Sequence, residues 1–567
     1  MGQAQVGVLL YLHQLAIEKM NKRVLFILLL AVQLPATAET PSADLILFNG
    51  KVFTGNSARP HAEAIAIRGE RIIAVGNSDE IRALAGPATK RVDMHGHLVI
   101  PGLNDAHYHL SIYPADAINV ELKSPDPGWE ELRDALAAKA AATPVGTLLL
   151  ADVSAAIFND SRVDRAALDQ VTTDHSVVLR TFTGHSEILN TPAFLKVGIG
   201  ENAIDPKGGR FERDATGRLT GVVREYAVLQ VARRLADSTN DTDAQRELQH
   251  KLAQAAEWGI TSIQDMSNAI EPGRAVRLLS KIPTPIRIRI IRMPPTTPSG
   301  RDTQEGRSLP AHPAPLLRVS GTKWFLDGVP LEFTFDPRGS HKDSSDKGFD
   351  ESVRDLPMTF DAVELKAMLH ESRKFHDPLL LHVAGYPAAA AMLTAMEETG
   401  GAPVWASRRV RFEHGDGLLP DLIPRVKALG IVVVQNPTHF AALGEQVTKV
   451  AQPMKALLDA GIPLALGSDG PLNPYLNIML AVTHPRQPAE GLTREQAVMA
   501  YTLGSAYAEF AERDKGTIEP GKFADLAVLS QDIFTAPLPE LPTTRALLTI
   551  VAGKIIYDAK VLSQARP

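Results

Sequence analysis

The stretch VIPGLNDAHYHL, residues 99–110, decides how the rest of the chain is read. Val99 and Ile100 read as the end of a buried strand. Pro101 and Gly102 break and redirect it, proline by fixing φ and glycine by tolerating positive φ. Asp105, His107 and His109 follow. In extended backbone His107 and His109 point to one face, with Cα atoms about 6.5 to 7 Å apart. Two imidazoles at that separation can converge on one metal ion at about 2.0 to 2.1 Å each. Alone, the pair reads equally well as two polar strand-end histidines, so the downstream sequence has to decide.

The 567 residues are too many for one small domain and suit a large barrel with an accessory, or two or more modules. A hydrophobic content of 44% with 22% charged residues is that of a folded globular protein. The net charge of -6 gives no basic footprint for nucleic acid, and the expected partner is a small-molecule substrate. There is no cysteine, so any metal must sit on histidine, carboxylate or similar oxygen ligands. Homo-oligomerisation is left open.

From Met20 the chain reads MNKRVLFILLLAVQLPATAET. Lys22 and Arg23 form a positive n-region, Val24–Leu34 an apolar h-region too short to span a bilayer, and Ala36-Thr37-Ala38 a small-x-small cleavage site. That is a bacterial-type signal peptide cleaved after Ala38, and it predicts a periplasmic or secreted protein with no transmembrane segment once mature. Met1–Lys19 read as an in-frame upstream extension.

Residues 44–98 read as short strands. Asn49-Gly50 predicts a hairpin between Ala43–Phe48 and Lys51–Phe53, and Arg68–Arg71 a second between Ala64–Ile67 and Ile72–Val75. Ser78 is the expected N-cap of a brief helix. Similar texture returns at Gly521–Leu529 and Ala546–Tyr557, so the two ends predict one discontinuous β-sandwich, residues 39–100 and 509–567. Between them, over 101–508, apolar strand-length runs alternate with helical runs. The strand-like runs are Ser176–Arg180, Thr261–Asp265, Ile286–Ile291, Gly321–Leu326, Pro378–Val383, Val410–Glu413, Ile431–Gln435 and Pro463–Gly467. Asp241–Trp258, Asp361–Phe375 and Leu418–Leu429 are helical. This pattern is α/β, a (β/α)8 TIM barrel with its active site at the C-terminal ends of the strands. Ser299–Pro315 and Asp336–Asp350 read as loops, the latter over the site mouth.

At the strand ends stand His382 in LLLHVAG, His414 in VRFEHGDG and Asp469 in LALGSDGP, with Lys323 in GTKWFLDG. Each is ordinary alone: a satisfied polar histidine, a turn-forming aspartate, a snorkelling lysine. With His107 and His109 they make six polar side chains where a barrel gathers its strand ends. His95-Gly96-His97 is a decoy, lying before the Pro101-Gly102 break where no strand mouth exists.

The chain here resembles the amidohydrolase superfamily, in its amidohydrolase-3 branch, which includes N-substituted formamide deformylases. The resemblance is carried by PGLNDAHYHL, TFTGHSEILNTPAF, GRFERDATGRLTGVVREYA, WGITSIQD, KWFLDGVPLE, RFEHGDGL, GSDGPLNP and GTIEPGKFADLAVL, in order over nearly the whole mature chain. It implies a metal-bearing barrel with His107 and His109 as ligands on the first strand and Lys323 as the fourth-strand lysine that bridges two metals when carboxylated. His382 and His414 match the fifth- and sixth-strand ligands, and Asp469 the eighth-strand aspartate. LLLADVSAAIFND, residues 148–160, departs from the aromatic-rich segment the branch often carries after the second strand, which leaves specificity open.

The expected chemistry is hydrolysis of a non-peptide carbon–nitrogen bond, an amide or N-acyl group, by a metal-activated hydroxide. The metal is a divalent ion, zinc first among Zn²⁺, Mn²⁺ and Fe²⁺, one or two per chain, with Lys323 carboxylated or unmodified. Asp469 and His414 are the expected catalytic groups. Burial beside Trp324, Phe325 and Leu326 should depress the Lys323 pKa. His185, Glu187 and His439 are expected at the substrate, with Asp265, Asp327 and again His439 orienting ligands by hydrogen bonds. The alternatives are a deaminase, a lactone or phosphoester hydrolase on the same barrel, and a non-catalytic periplasmic binding protein.

Overall fold

The computed structural model describes residues 42–124, 127–153, 157–158, 160–181, 183–329, 353–354, 356–442, 452–562 and 564–565. The signal-like segment and the loop at Asp336–Asp350 lie outside them. Among the described residues no helix is long and apolar enough to cross a membrane.

Eight parallel strands form a nearly closed barrel: β1 (Leu103–Tyr108), β2 (Ile260–Ser267), β3 (Arg287–Arg292), β4 (Leu317–Phe325), β5 (Leu379–Val383), β6 (Arg411–His414), β7 (Val432–Gln435) and β8 (Leu464–Leu466). They follow one another in chain order around the sheet, as parallel strands with crossover connections must. At the rim, the segment after β8 folds against β1. The Asp469 N–H donates to His107 O at 2.9 Å, and the Ser468 N–H donates to the Asp105 carboxylate at 3.0 Å. Gly467 makes this approach feasible, because a Cβ there would lie 2.4 Å from the His107 nitrogen.

Helices packed outside the strands start where local chemistry says they should. Asn240 caps Asp241–Glu257 through the Asp243 N–H, and Asp361 caps Ala362–Phe375. The predicted helix at Leu418–Leu429 is shorter, Ile423–Ala428. The small helix at Ser78–Arg82 is capped by Asn77 rather than Ser78, because Asn77 completes a reciprocal capping box with Glu80.

Ser176–Thr181 is not a barrel strand. It lies in a separate six-stranded sheet inserted between β1 and β2, flanked in register by Leu148–Val153 and Ser186–Leu189. Both its faces are buried, Val178 in one apolar cluster and Val177 and Leu179 in another. A strand buried on both sides has the same continuous apolar pattern in a barrel or beside one.

Two further sheets each draw strands from both ends of the chain. One is ordered Gln564–Ala565, Ala85–Asp93, Ala43–Phe48, Ala64–Arg68, Arg71–Gly76. The other is ordered Lys554–Asp558, Ala546–Val551, Leu526–Leu529, Leu98–Pro101, Lys51–Phe53, His61–Ala62. Leu45, Ile65 and Val92 of the first share a core cluster with Val52, Val99 and Leu526 of the second. The predicted hairpin at Arg68–Arg71 forms, but the one at Asn49-Gly50 does not. Asn49, at φ 58°, turns a corner from one sheet into the other, and Ala43–Phe48 pairs with Ala64–Arg68 instead. Gly102, between the Leu98–Pro101 strand and β1, is needed for space rather than for positive φ. A Cβ there would lie 2.2 Å from Thr261 Oγ1.

Candidate metal centre

The C-terminal rim of the barrel opens into a cavity of about 560 Å³. His109, Lys323, His382, His414, Asp469, His185, Glu187 and His439 all line it, and His107 lies against it beneath Lys323. His95 and His97 belong to the end sheets' connection, where His97 Nδ1 meets Leu529 O.

Asp469 is the centre of the group. Its carboxylate lies 3.4 Å from His109 Nε2, 3.8 Å from His107 Nε2, 3.9 Å from His414 Nδ1 and 3.3 Å from His439 Nε2. Two sets could each hold a cation, His107–His109–Asp469 and His414–His439–Asp469. His439, expected at the substrate, therefore stands among the metal-capable groups. His382 is outside both sets, although its ring lies 4.6 Å from that of His414.

Local backbone geometry brings adjacent residues into one site. Glu413 and His414 are neighbours on β6, and in regular strand they would point to opposite faces. Glu413 points inward, and His414 sits at φ 69°, which carries its ring back over the mouth to 5.0 Å from His107. Asp469 is likewise in the left-handed region, at φ 40°. Non-glycine residues there are strained and concentrate at functional sites.

Hydrogen bonds orient the rings. His107 Nδ1 meets Glu413 Oε2 at 2.7 Å, and Arg411 grips the other side of that carboxylate. His109 Nδ1 meets Met266 O at 2.9 Å, and His414 Nδ1 meets Asn436 Oδ1 at 2.9 Å. In each case the proton belongs on Nδ1, which leaves the Nε2 lone pair for the site. On His382 it is reversed: Nε2 donates to Gly328 O at 3.0 Å, and Nδ1 is buried with no hydrogen-bond partner among the described residues. An orphaned lone pair beside a ring of imidazoles and a carboxylate fits a divalent cation. Lys323 Nζ, buried and 2.9 Å from His107 Nε2, reaches into the same space rather than snorkelling outward.

The electrostatics agree with that fit. Burial, reinforced by Lys323, holds His107 below the usual histidine range, and burial takes His109 down to about 3. Burial also pushes His382 and His414 well down. Neutral imidazole is the form that binds metal. Burial opposes ionisation of Asp469, yet His107, His439 and His109 hold it well below the carboxylate range. Burial lowers Lys323 to about 8.

Of the two aspartates expected to orient ligands, Asp265 accepts from the Leu110 N–H, next to His109, whose Nδ1 meets Met266 O. Asp327 accepts from the Ala384 and Gly385 N–H groups and lies 3.6 Å from His382 Nε2. Sequence reasoning missed Glu413, Arg411, Asn436 and Glu225. Glu225 Oε2 holds His185 Nδ1 at 2.6 Å, and the His185 ring stacks on Phe325 and lies 4.6 Å from that of His382. Arg411 and Glu413 carried a signal, two opposite charges at i and i+2, which share one face of a strand.

The chain is 26% identical over 550 residues to N-substituted formamide deformylase of Arthrobacter pascens, covering 92% of this chain and 99% of that protein. It is 26% identical over 554 residues to Protein LONG AFTER FAR-RED 3 of Arabidopsis thaliana, covering 91% and 92%. Among solved structures, an uncharacterized metal-dependent hydrolase from Pyrococcus horikoshii OT3 superposes with a TM-score of 0.63 at 19% identity, covering 87% of this chain and 99% of that one. A family model described as "Amidohydrolase family" matches residues 90–557, and the chain therefore belongs to the Amidohydrolase family.

Proposed function

We propose that this amidohydrolase, a hydrolase of carbon–nitrogen bonds, cleaves a non-peptide amide or N-acyl group using zinc held at the barrel rim. The carrying observation is the Asp469 carboxylate set among the imidazoles of His107, His109, His414 and His439 at the mouth of the cavity. His107, His109, Asp469, His382, His414 and Lys323 are the proposed ligands, with Lys323 as a carbamate where two ions bind. A bound cation would supply a water ionised near neutral pH and a polarised substrate carbonyl.

The chain's own groups do the rest. Asp469 takes the proton of the attacking water and delivers it to the leaving nitrogen, which departs only when protonated. His439, hydrogen-bonded to Asp469, holds that carboxylate in place. His414, its Nδ1 held by Asn436, stands beside Asp469 as one of the proposed ligands. His185, fixed by Glu225 and stacked on Phe325, forms the wall against which the acyl group lies. The same reading takes residues 101–508 as the catalytic unit, buttressed by the two ends of the chain. The signal-like segment at 20–38 supports an exported location.

Chelation with confirmed metal loss should abolish hydrolysis of an N-acyl amine panel, and Zn²⁺ should restore it. Activity indifferent to metal removal would overturn the reading. Release of ammonia without a carboxylate product would instead identify a deaminase.

A further inference from the structure

The sheet inserted between β1 and β2 turns a row of charged side chains toward the cavity. Asp152, Arg180 and Glu187 stand in register on three adjacent strands. Residues in register share a face, and the deeper part of this face is the apolar cluster of Leu150, Val178 and Leu189. All three charged residues line the cavity.

Their charges do not pair evenly. Arg180 commits its guanidinium to Asp152, with Nε 3.0 Å and Nη2 2.8 Å from Oδ1, and to the Tyr113 hydroxyl at 2.7 Å. Glu187, opposite it, receives none of these donors. The residue is 5% exposed, and its Oε2 is buried with no hydrogen-bond partner among the described residues. Native structures rarely leave a buried carboxyl oxygen in that condition, and a missing ligand donor is one explanation. The other acidic groups lining the cavity have partners, Asp152 in Arg180 and Asp469 in its imidazoles.

We infer that Glu187 receives a protonated nitrogen of the substrate, so that the preferred substrates are N-acyl compounds carrying a second, cationic amine. The inference rests on the amide-hydrolase reading above and specifies its substrate class. Position sets the spacing. Glu187 follows His185 by two residues, about 7 Å along extended backbone, and the His185 ring abuts that of His382. The amine therefore lies several carbons beyond the scissile group. Charge favours a cation over a neutral N–H: Arg180 attracts Glu187 across the strands but spends its hydrogen bonds on Asp152 and Tyr113, and an ammonium supplies both charge and donor. Burial raises the Glu187 carboxyl to about 8 despite the nearby Arg180, so an arriving ammonium displaces its proton to solvent.

The test is calorimetric binding of N-(4-aminobutyl)acetamide and its neutral analogue N-pentylacetamide to the zinc-loaded protein at pH 7. The cationic amide should bind about tenfold tighter or more, and Glu187→Gln should collapse the gap. Equal affinities in the wild-type protein, a comparison that needs no variant, would overturn the inference. So would a gap that survives in a folded E187Q. Turnover is read separately: an intact affinity gap with neither amide cleaved would overturn the amide reading and leave the cation subsite standing.

Discussion

Glu413 Oε2 lies 2.7 Å from His107 Nδ1, with both side chains fully buried. Burial works against the Glu413 charge, yet Arg411 and His107 hold the carboxyl at about 2. The anion therefore persists throughout the physiological range and fixes the proton on Nδ1, turning the basic Nε2 toward the site. Glu413→Gln keeps the shape and removes the charge. Metal affinity should fall about 10- to 100-fold, measured by competition against a chelator. An unchanged affinity would mean that Arg411 and packing alone orient the ring.

Closure of the barrel at the rim depends on Gly467. A Cβ there would meet the His107 nitrogen at 2.4 Å and its Cα at 2.8 Å, atoms of backbone that cannot swing away. Gly467→Ala should destabilise the fold by about 1–3 kcal/mol, read by urea unfolding. It should also weaken metal binding, because the same movement displaces His107 and Asp469 relative to each other. A variant with wild-type stability would show that β1 and the segment after β8 are not in firm contact.

Lys323 tests the nuclearity of the site. Its amine is buried 2.9 Å from His107 Nε2 and lines the cavity rather than reaching outward. Native protein loaded with zinc and carbon-13 bicarbonate should show a carbamate carbon resonance that is absent from Lys323→Met, and two metals per chain. Lys323→Met should lower the metal content to one or none. A wild-type protein with one metal and an unmodified Lys323 would identify a mononuclear site.

The barrel and most of its rim residues were legible because periodicity and strand-end position carry that information directly: β5, β6 and β8 end where apolar runs meet His or Asp, and Lys323 lies close to the end of β4. The inserted sheet was not, because Ser176–Thr181, buried on two faces, has the same composition as a barrel strand. The Asn49-Gly50 corner misled for a related reason. The dipeptide specifies a reversal with positive φ, while the choice between pairing back and crossing to a second sheet lies with Ala64–Arg68 and His97, far away in sequence. His439 was undervalued because it lies at the start of a short helix, His439–Ala442, rather than at the end of a strand. Only the fold shows that this position faces Asp469.

Glu187 makes a signed prediction about pH. Burial raises its carboxyl from 4.5 to about 8 in the folded chain. Between those values the native state keeps a proton that the unfolded state has released. Stability therefore falls as pH rises through that window, and the loss is complete above the folded value. Glu187→Gln abolishes the titration. The stability of the variant relative to wild type should be nearly constant below pH 4.5 and rise toward pH 8 by at most about 5 kcal/mol. Urea unfolding of both metal-free proteins across that range measures the difference. A difference that stays flat would mean that Glu187 is already ionised in the empty cavity, paired with Arg180 in an arrangement other than the one seen here.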